Sequence, residues 1–267
     1  PLANQSNSDV AVLNELKSNV VVKWLDPLTH DRSLKAKHFG ANADYIAYFG
    51  DGWNSDWKGQ ILGSAPQFNG SGQSGWMWVN HEYISNNMPK VSSAPTGQHL
   101  TLAKALKTSG FLSIDVTSDS AWTQTELDIY ISHYKRQVGG SFFRVEQDAL
   151  GDWKLVKTAE NQRFDATDNT RLQLTDFTLT AKDHDDNGVE LNTGVVVGIM
   201  GDCSGGQTPW GTVLSAEENV QDYYGDIDAS WTSKQKLLTD ATSLAAGNYL
   251  MGGNISFTTT ASLTSNF

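Results

Sequence analysis

Cysteine is nearly absent: Cys203 is the only one in 267 residues, which excludes an internal disulfide. A lone cysteine is an inert core residue, a reactive thiol or a metal ligand, and its neighbours have to distinguish these roles. Long apolar runs are absent as well. Because a membrane-spanning helix needs about 18 or more consecutive apolar residues, the sequence predicts no membrane span.

Positive charge is scarce. The chain has 19 lysines and arginines against 30 aspartates and glutamates, and its formal net charge is −11. A surface of this sign repels a phosphate backbone, which argues against a nucleic-acid partner. It would also repel a small phosphorylated molecule unless bound cations intervened. Carboxylate oxygens are the ligands that Ca²⁺ prefers, so the excess of acidic residues is compatible with metal binding.

Glycine and tryptophan are abundant and proline is rare, with 24, nine and six residues respectively, which is typical of an all-β fold with tight turns. Short apolar segments between Gly, Asn and Asp favour a propeller or a sandwich, although no strict internal repeat is present. Strands are predicted at residues 44–49, 75–83, 111–116, 194–200 and 211–216, a hairpin and its neighbouring strand at 127–156 with a turn at 139–140, and a short helix at 98–108. Residues 6–23 are predicted to form either a short helix or an extended lead-in.

Residues 201–219, GDCSGGQTPWGTVLSAEEN, combine a thiol, a glycine-rich turn and two carboxylates. A return strand would carry Glu217 and Glu218 back towards Cys203, where a thiolate and a carboxylate can share metal ions. Because side chains alternate along a strand, only one of the two glutamates can face Cys203. The residues alone leave open a simpler alternative, a packed hairpin with a buried cysteine and two solvated glutamates.

Three motifs resemble those of PhoX-type alkaline phosphatases. The most specific is CSGGQTPWGT from Cys203 onward with EEN at 217–219, where the family has Asn-Cys-Ala-Gly-Gly-x-Thr-Pro-Trp-Gly-Thr and Glu-Glu-Asn at this spacing. Residues 80–83, NHEY, resemble the family's Asn-His-Glu motif, and residues 39–45, FGANADY, match more loosely. Two residues depart from the family pattern: Asp202 replaces an Asn, and Ser204 replaces an Ala.

The resemblance implies an exported, periplasmic or extracellular, six-bladed all-β propeller that hydrolyses small-molecule phosphomonoesters with Fe(III) and Ca²⁺. It implies that Cys203 and Glu218 are the catalytic residues and bind iron, and that Glu82 binds Ca²⁺. His81 is either a direct ligand or a hydrogen-bonded residue that orients Glu82. The full set of implied metal ligands is Asn80, Glu82, Cys203, Glu217 and Glu218, with Glu218 favoured over Glu217.

Members of this family are longer than this chain. The resemblance therefore implies that residues 1–267 form a single, incomplete propeller domain, roughly its first half with short helical insertions, in which residues 225–267 match poorly. The implied partner is the C-terminal half of the same enzyme, with further strands, carboxylates and basic phosphate contacts. A half-propeller with open edges is not expected to be stable alone.

Two other functions remain open from the sequence: a calcium-propeller hydrolase of lactones or phosphotriesters, and a non-catalytic calcium-binding propeller that presents loops to a partner. Residues 183–188, DHDDNG, fit the first half of a calcium loop, but Gly194 stands where such a loop needs a Glu. A solvated turn is the other interpretation of this segment. Metal analysis separates the functions, because iron together with calcium supports only the phosphatase.

Overall fold

The computed structural model describes residues 16–51, 72–85, 89, 93–119, 122–175, 182–208 and 211–218. Within these ranges the fold is mainly antiparallel β-sheet with two α-helices, none long and apolar enough to cross a bilayer. The elements are, in chain order, β1 (Ala43–Gly50), β2 (Ser74–His81), α1 (Gly97–Thr108), α2 (Gln124–Tyr134), β3 (Gly139–Gln147), β4 (Trp153–Val156), β5 (Gln162–Phe164), β6 (Arg171–Gln173), β7 (Val195–Val197), β8 (Asp202–Gln207) and β9 (Val213–Glu217).

The largest sheet has five strands in the order β1-β2-β3-β4, with β5 paired to β3. Strands β1 and β2 confirm those predicted at residues 44–49 and 75–83. One face of the sheet buries alternate residues of β2 and β3, because successive side chains of a strand point to opposite faces. The apolar core on this face consists of Leu28, Phe39, Val79, Phe143 and Val145.

The other face of β2 and β3 carries aromatic side chains. Trp76 stacks on Phe142 with ring centroids 4.8 Å apart, and Trp78 lies over Gly140. A Cβ atom at Gly140 would come within 2.3 Å of the Trp78 indole, so this close approach requires glycine. The turn predicted at residues 139–140 is wrong, because both glycines belong to β3.

Helix α2 occupies the place of the first strand in the hairpin predicted over residues 127–156. Thr123 and Glu126 form a capping box: the Thr123 side chain accepts the Glu126 N–H, and the Glu126 side chain accepts the Thr123 N–H. These bonds satisfy two donors of the first helical turn, and the chain then continues as helix. The buried side chains recur at helical rather than strand spacing, at Leu127, Tyr130 and Tyr134.

Helix α1 confirms the helix predicted at residues 98–108 and packs with α2 around a second apolar core. The strand predicted at residues 111–116 is wrong, since this segment is irregular. The Ile114 N–H donates to the Glu126 carboxylate at 3.1 Å instead of to a neighbouring strand. Leu112 is buried in the helical core, so the apolar residues of the segment serve helix packing.

Two further hairpins, β6–β7 and β8–β9, form separate two-stranded sheets. Strand β7 is shorter than the strand predicted at residues 194–200, and β9 confirms the one predicted at 211–216. Residues 16–23 are not helical, which favours the extended lead-in over the helix in this part of residues 6–23, and residues 6–15 lie outside the described residues. Residues 225–267 also lie outside them.

The β8–β9 hairpin lies against β1 and β2. A Cβ atom at Gly205 would come within 2.4 Å of the Tyr45 ring, so glycine permits β8 to approach β1. The Gln207 side-chain amide donates to the Tyr48 carbonyl at 3.1 Å. This docking brings Cys203 next to the start of β1 and the end of β2.

Candidate metal centre

Three side chains from distant parts of the sequence meet where the β8–β9 hairpin rests on the main sheet. Asp44 lies at the start of β1, Glu82 directly follows β2, and Cys203 lies near the start of β8. One potential ligand atom from each lies within 4.8 Å of the other two. The Cys203 thiol donates a hydrogen bond to Asp44 Oδ2 at 3.0 Å. Two carboxylates and a thiol at this spacing can hold a metal ion.

Glu218 joins the three from the end of β9, and its carboxyl group is hydrogen-bonded to both Glu82 and Cys203. We call Asp44, Glu82, Cys203 and Glu218 the acidic–thiol cluster. Desolvation, the hydrogen bond with Glu218, and the charges of Glu218 and Asp44 raise the pKa of Glu82 to about 7. The charges of Glu218 and Asp44 disfavour ionisation of Glu82 because like charges lie close together. A bound cation would remove this conflict, so the donor set fits a metal.

The same carboxylates suppress ionisation of the thiol. Hydrogen bonds with Asp44 and Glu218, with desolvation and the charges of both, raise the pKa of Cys203 to about 12. Without a cation the group is a neutral thiol at neutral pH, and it is a weak nucleophile because the thiolate is the reactive form. Metal binding reverses this preference by stabilising the thiolate. The surroundings therefore favour Cys203 as a ligand over Cys203 as a nucleophile.

Glu217 points away from the acidic–thiol cluster. Its Oε1 accepts the Met200 N–H at 2.9 Å, and its partner across the hairpin is Asp202. Desolvation, together with the charge of Asp202, raises the pKa of Glu217. Glu217 and Glu218 leave the hairpin on opposite sides, because neighbouring side chains alternate along a strand. The metal-binding role of Glu217 stays a prediction that this position does not favour.

Asn80 and His81 precede Glu82, and both are buried with their polar atoms bonded inside the protein. His81 Nδ1 lies 3.0 Å from the Ala41 carbonyl, which can only accept, so Nδ1 carries the proton. His81 Nε2 lies 2.8 Å from Ser141 Oγ, and burial lowers the pKa of the ring. This arrangement favours the orienting role of His81 over direct ligation. The predicted ligand role of Asn80 is likewise not favoured.

Asp44 is the member of the acidic–thiol cluster that was not predicted as a ligand. It lies in the FGANADY segment at residues 39–45, where only the looser family resemblance pointed to it. In sequence it is 159 residues from Cys203. Their contact depends on the docking of the β8–β9 hairpin against β1, which no local pattern shows.

The geometry of the cluster can now be set beside known proteins. A model of the family described as alkaline phosphatase PhoX matches residues 1–252. The chain belongs to this family. Among curated proteins, no sequence matched significantly.

One solved structure is similar, that of Pseudomonas fluorescens PhoX in complex with vanadate, a transition state analogue. It is 20% identical, has a TM-score of 0.45, and aligns over 80% of this chain and 30% of that chain. This chain therefore spans about a third of the length of the PhoX structure that it matches.

Of the two departures from the PhoX signature, Asp202 is buried and Ser204 is exposed. Asp202 Oδ1 accepts a hydrogen bond from Ser215 Oγ at 2.6 Å, and burial raises the pKa of Asp202. Neither side chain belongs to the acidic–thiol cluster. Neither departure from the family signature therefore falls on one of the four residues of the acidic–thiol cluster.

The acidic loop at residues 183–188 is organised by protein contacts. Asp185 Oδ1 accepts the Asn187 N–H at 2.9 Å, and Asp186 forms an ion pair with Lys135. Carboxylates engaged in this way are not free to converge on a cation. The geometry favours a hydrogen-bonded turn at this loop over a peripheral calcium site.

Proposed function

We propose that this chain is part of an exported, periplasmic or extracellular alkaline phosphatase that hydrolyses small-molecule phosphomonoesters at a centre of Fe(III) and Ca²⁺. The observation that carries the proposal is the convergence of Asp44, Glu82 and Cys203, joined by Glu218, in a chain that belongs to the PhoX family. The family membership rests on the sequence match, and the donor set rests on the fold. Both support metal-dependent hydrolysis of phosphomonoesters.

The donor set matches two kinds of cation. The Cys203 thiolate is a soft ligand that suits iron, and Glu218 is placed to share the same ion. Glu82 and Asp44 offer the hard oxygens that Ca²⁺ prefers. Bound cations would neutralise phosphate oxygens and stabilise charge in the transition state.

The role of the chain's own residues is to hold the bound cations in place. Cys203 would hold iron as a thiolate, so loading of the metal would be coupled to release of the thiol proton. Asp44 and Glu218, which hydrogen-bond the thiol in the absence of metal, supply carboxylate oxygens next to it. Among the described residues, no Lys or Arg forms an ion pair with Asp44, Glu82 or Cys203. The basic residues that orient the phosphate would then come from other parts of this chain or from further polypeptide.

We propose that further polypeptide completes the domain as a six-bladed propeller, of which this chain forms roughly the first half. A cavity of about 900 Å³ lies between the main sheet and the two small hairpins, with apolar walls that include Trp78, Phe164 and Val197. Leu172, which also lines it, is 37% exposed. Apolar surface of this kind is usually covered by a neighbouring element or a partner.

Active enzyme is therefore expected to contain more polypeptide than this chain, either continuous with it or as a tightly held second fragment. Native mass spectrometry of the active species should give a mass above 29.1 kDa, the mass of the chain. Denaturing mass spectrometry should then show either one longer chain or this chain together with a second fragment. Full phosphomonoesterase activity at 29.1 kDa would show that the chain is complete in itself and would refute the half-enzyme architecture.

Removal of calcium is expected to abolish hydrolysis of a chromogenic phosphomonoester, because Glu82 and Asp44 form a hard-oxygen site. The measurement is activity after long equilibration with a calcium-selective chelator, followed by addition of excess Ca²⁺, which should restore it. The same chelator saturated with Ca²⁺ beforehand is the control. Lactone and phosphotriester substrates assayed in parallel test the alternative hydrolase, and activity that persists in chelator would argue against a catalytic calcium.

A further inference from the structure

Asn80 occupies the junction between the strand that leads to Glu82 and the hairpin that carries Cys203. Its side chain is 0% exposed. The amide nitrogen donates to the carbonyls of Cys203 and Ser204 at 3.0 and 3.1 Å. The amide oxygen accepts from Trp78 Nε1 at 2.6 Å, and Ser215 Oγ lies 3.0 Å from it.

These partners fix the orientation of the amide. The two carbonyls can only accept, and the indole N–H can only donate, so the nitrogen must face β8 and the oxygen must face Trp78. Both hydrogens of the amide nitrogen are used. No lone pair on that side of Asn80 is available to a cation, and on the other side the amide oxygen accepts the Trp78 N–H.

The hairpin depends on such side-chain bonds for its position. Within the described part of the chain, no backbone ladder joins β8 to β1 or β2. A two-stranded hairpin is only marginally stable by itself. Its described side-chain links to the main sheet include the Asn80 bonds, the Gln207 bond to the Tyr48 carbonyl, the Cys203 bond to Asp44, and the hydrogen bond between Glu218 and Glu82.

Of these links, the Asn80 bonds hold the backbone at Cys203 itself. Asn80 and Glu82 are two residues apart, so they leave the chain on the same side where β2 ends. We propose that Asn80 is a positioning residue: it clamps the Cys203 backbone onto the strand that carries Glu82, and so sets the distance between the thiol and the carboxylates. The effect of the Asn80 clamp on metal binding rests on the proposed function, whereas its effect on the position of the Cys203 backbone does not.

Asn80→Asp separates a clamp from a ligand. A carboxylate keeps the shape and the acceptor oxygen of Asn80, and it is a better ligand for a hard cation than an amide. It also replaces the donor that faces the Cys203 and Ser204 carbonyls with an oxygen that repels them. The clamp therefore predicts that Asn80→Asp loosens the hairpin and loses iron, whereas a ligand role predicts that it keeps iron.

The first readout needs no metal. Cys203 is the only cysteine, so alkylation of metal-free protein by a maleimide reports on this site alone. We expect Asn80→Ala, which removes both donors without adding a charge that would suppress ionisation of the thiol, to react about tenfold faster than the wild type, because two buried hydrogen bonds are lost. Gln207→Ala is the matched control. It removes the amide that donates to the Tyr48 carbonyl at the other end of β8 but leaves both Asn80 bonds, so its rate should stay near that of the wild type.

The second readout is iron per chain together with the visible absorption of the reconstituted protein. Asn80→Asp should lose both, whereas Gln207→Glu, the same amide-to-carboxylate change at the other end of β8, should keep them. If Asn80→Asp fails to fold by circular dichroism, Asn80→Ala, which removes the donors without adding charge, takes its place with the same expectation. Unchanged alkylation with retained iron in the substituted protein would overturn the clamp. A wild type that binds no iron would instead refute the proposed function, and alkylation would still decide the clamp.

Discussion

Cys203→Ala should remove the visible charge-transfer absorption of the purified enzyme and nearly all of its phosphomonoesterase activity. Cys203 is the only thiol in the chain, and it lies among Asp44, Glu82 and Glu218. A thiolate bound to Fe(III) absorbs visible light, whereas a carboxylate-only calcium site is colourless. Loss of a direct metal ligand should reduce activity by at least about 100-fold, the upper end of the effect of outer-shell partners.

Cys203→Ser is the companion variant, because a hydroxyl keeps the size and the hydrogen bond to Asp44 but ligates iron poorly. It should also be colourless. Absorption spectra, iron content and rates of phosphomonoester hydrolysis of the three proteins are the measurements. A colourless wild type with full activity would refute the iron–thiolate assignment.

Glu218→Gln is expected to lose metal and at least about 100-fold in activity, whereas Glu217→Gln should lose less than about tenfold. Glu218 is hydrogen-bonded to Glu82 and Cys203. Glu217 instead accepts the Met200 N–H on the other side of the hairpin. The two variants make the same chemical change at adjacent positions, so each serves as the control for the other.

Metal content and the kinetic constants of both variants are the measurements. Loss of iron or calcium in Glu218→Gln should accompany the loss of kcat. A larger effect at Glu217 than at Glu218 would show that the strand register, or the residue-by-residue comparison with the family, is wrong.

The pairing of Cys203 with a carboxylate at the end of β9 follows from local chain geometry. A short hairpin returns the chain to its starting point, and strand alternation separates Glu217 from Glu218. The sequence therefore supported this part of the cluster. Glu82 was predicted from the resemblance of residues 80–83 to a family motif. Asp44 joins the cluster only because β1 and β8 lie together. That arrangement depends on packing such as that of Gly205 against Tyr45.

Helix α2 shows a different limit. Residues 127–134 contain isoleucines and tyrosines, which are typical of strands. The decisive signal lies just before the first buried apolar residue, Leu127: Thr123 and Glu126 are a capping-box pair. The capping bonds and the burial of Tyr130 and Tyr134 outweigh β propensity here. The role of Asn80 could not be predicted, because its partners Cys203 and Ser215 are brought to it only by tertiary structure.

The elemental composition of active protein tests the central claim most directly, namely that the acidic–thiol cluster is a mixed metal centre for phosphomonoester hydrolysis. The measurement is inductively coupled plasma mass spectrometry on purified, catalytically active enzyme, with Cys203→Ala prepared in the same way. The wild type should contain both iron and calcium in stoichiometric amounts, and Cys203→Ala should lack iron. Full activity in protein that contains calcium alone, or neither metal, would contradict the account.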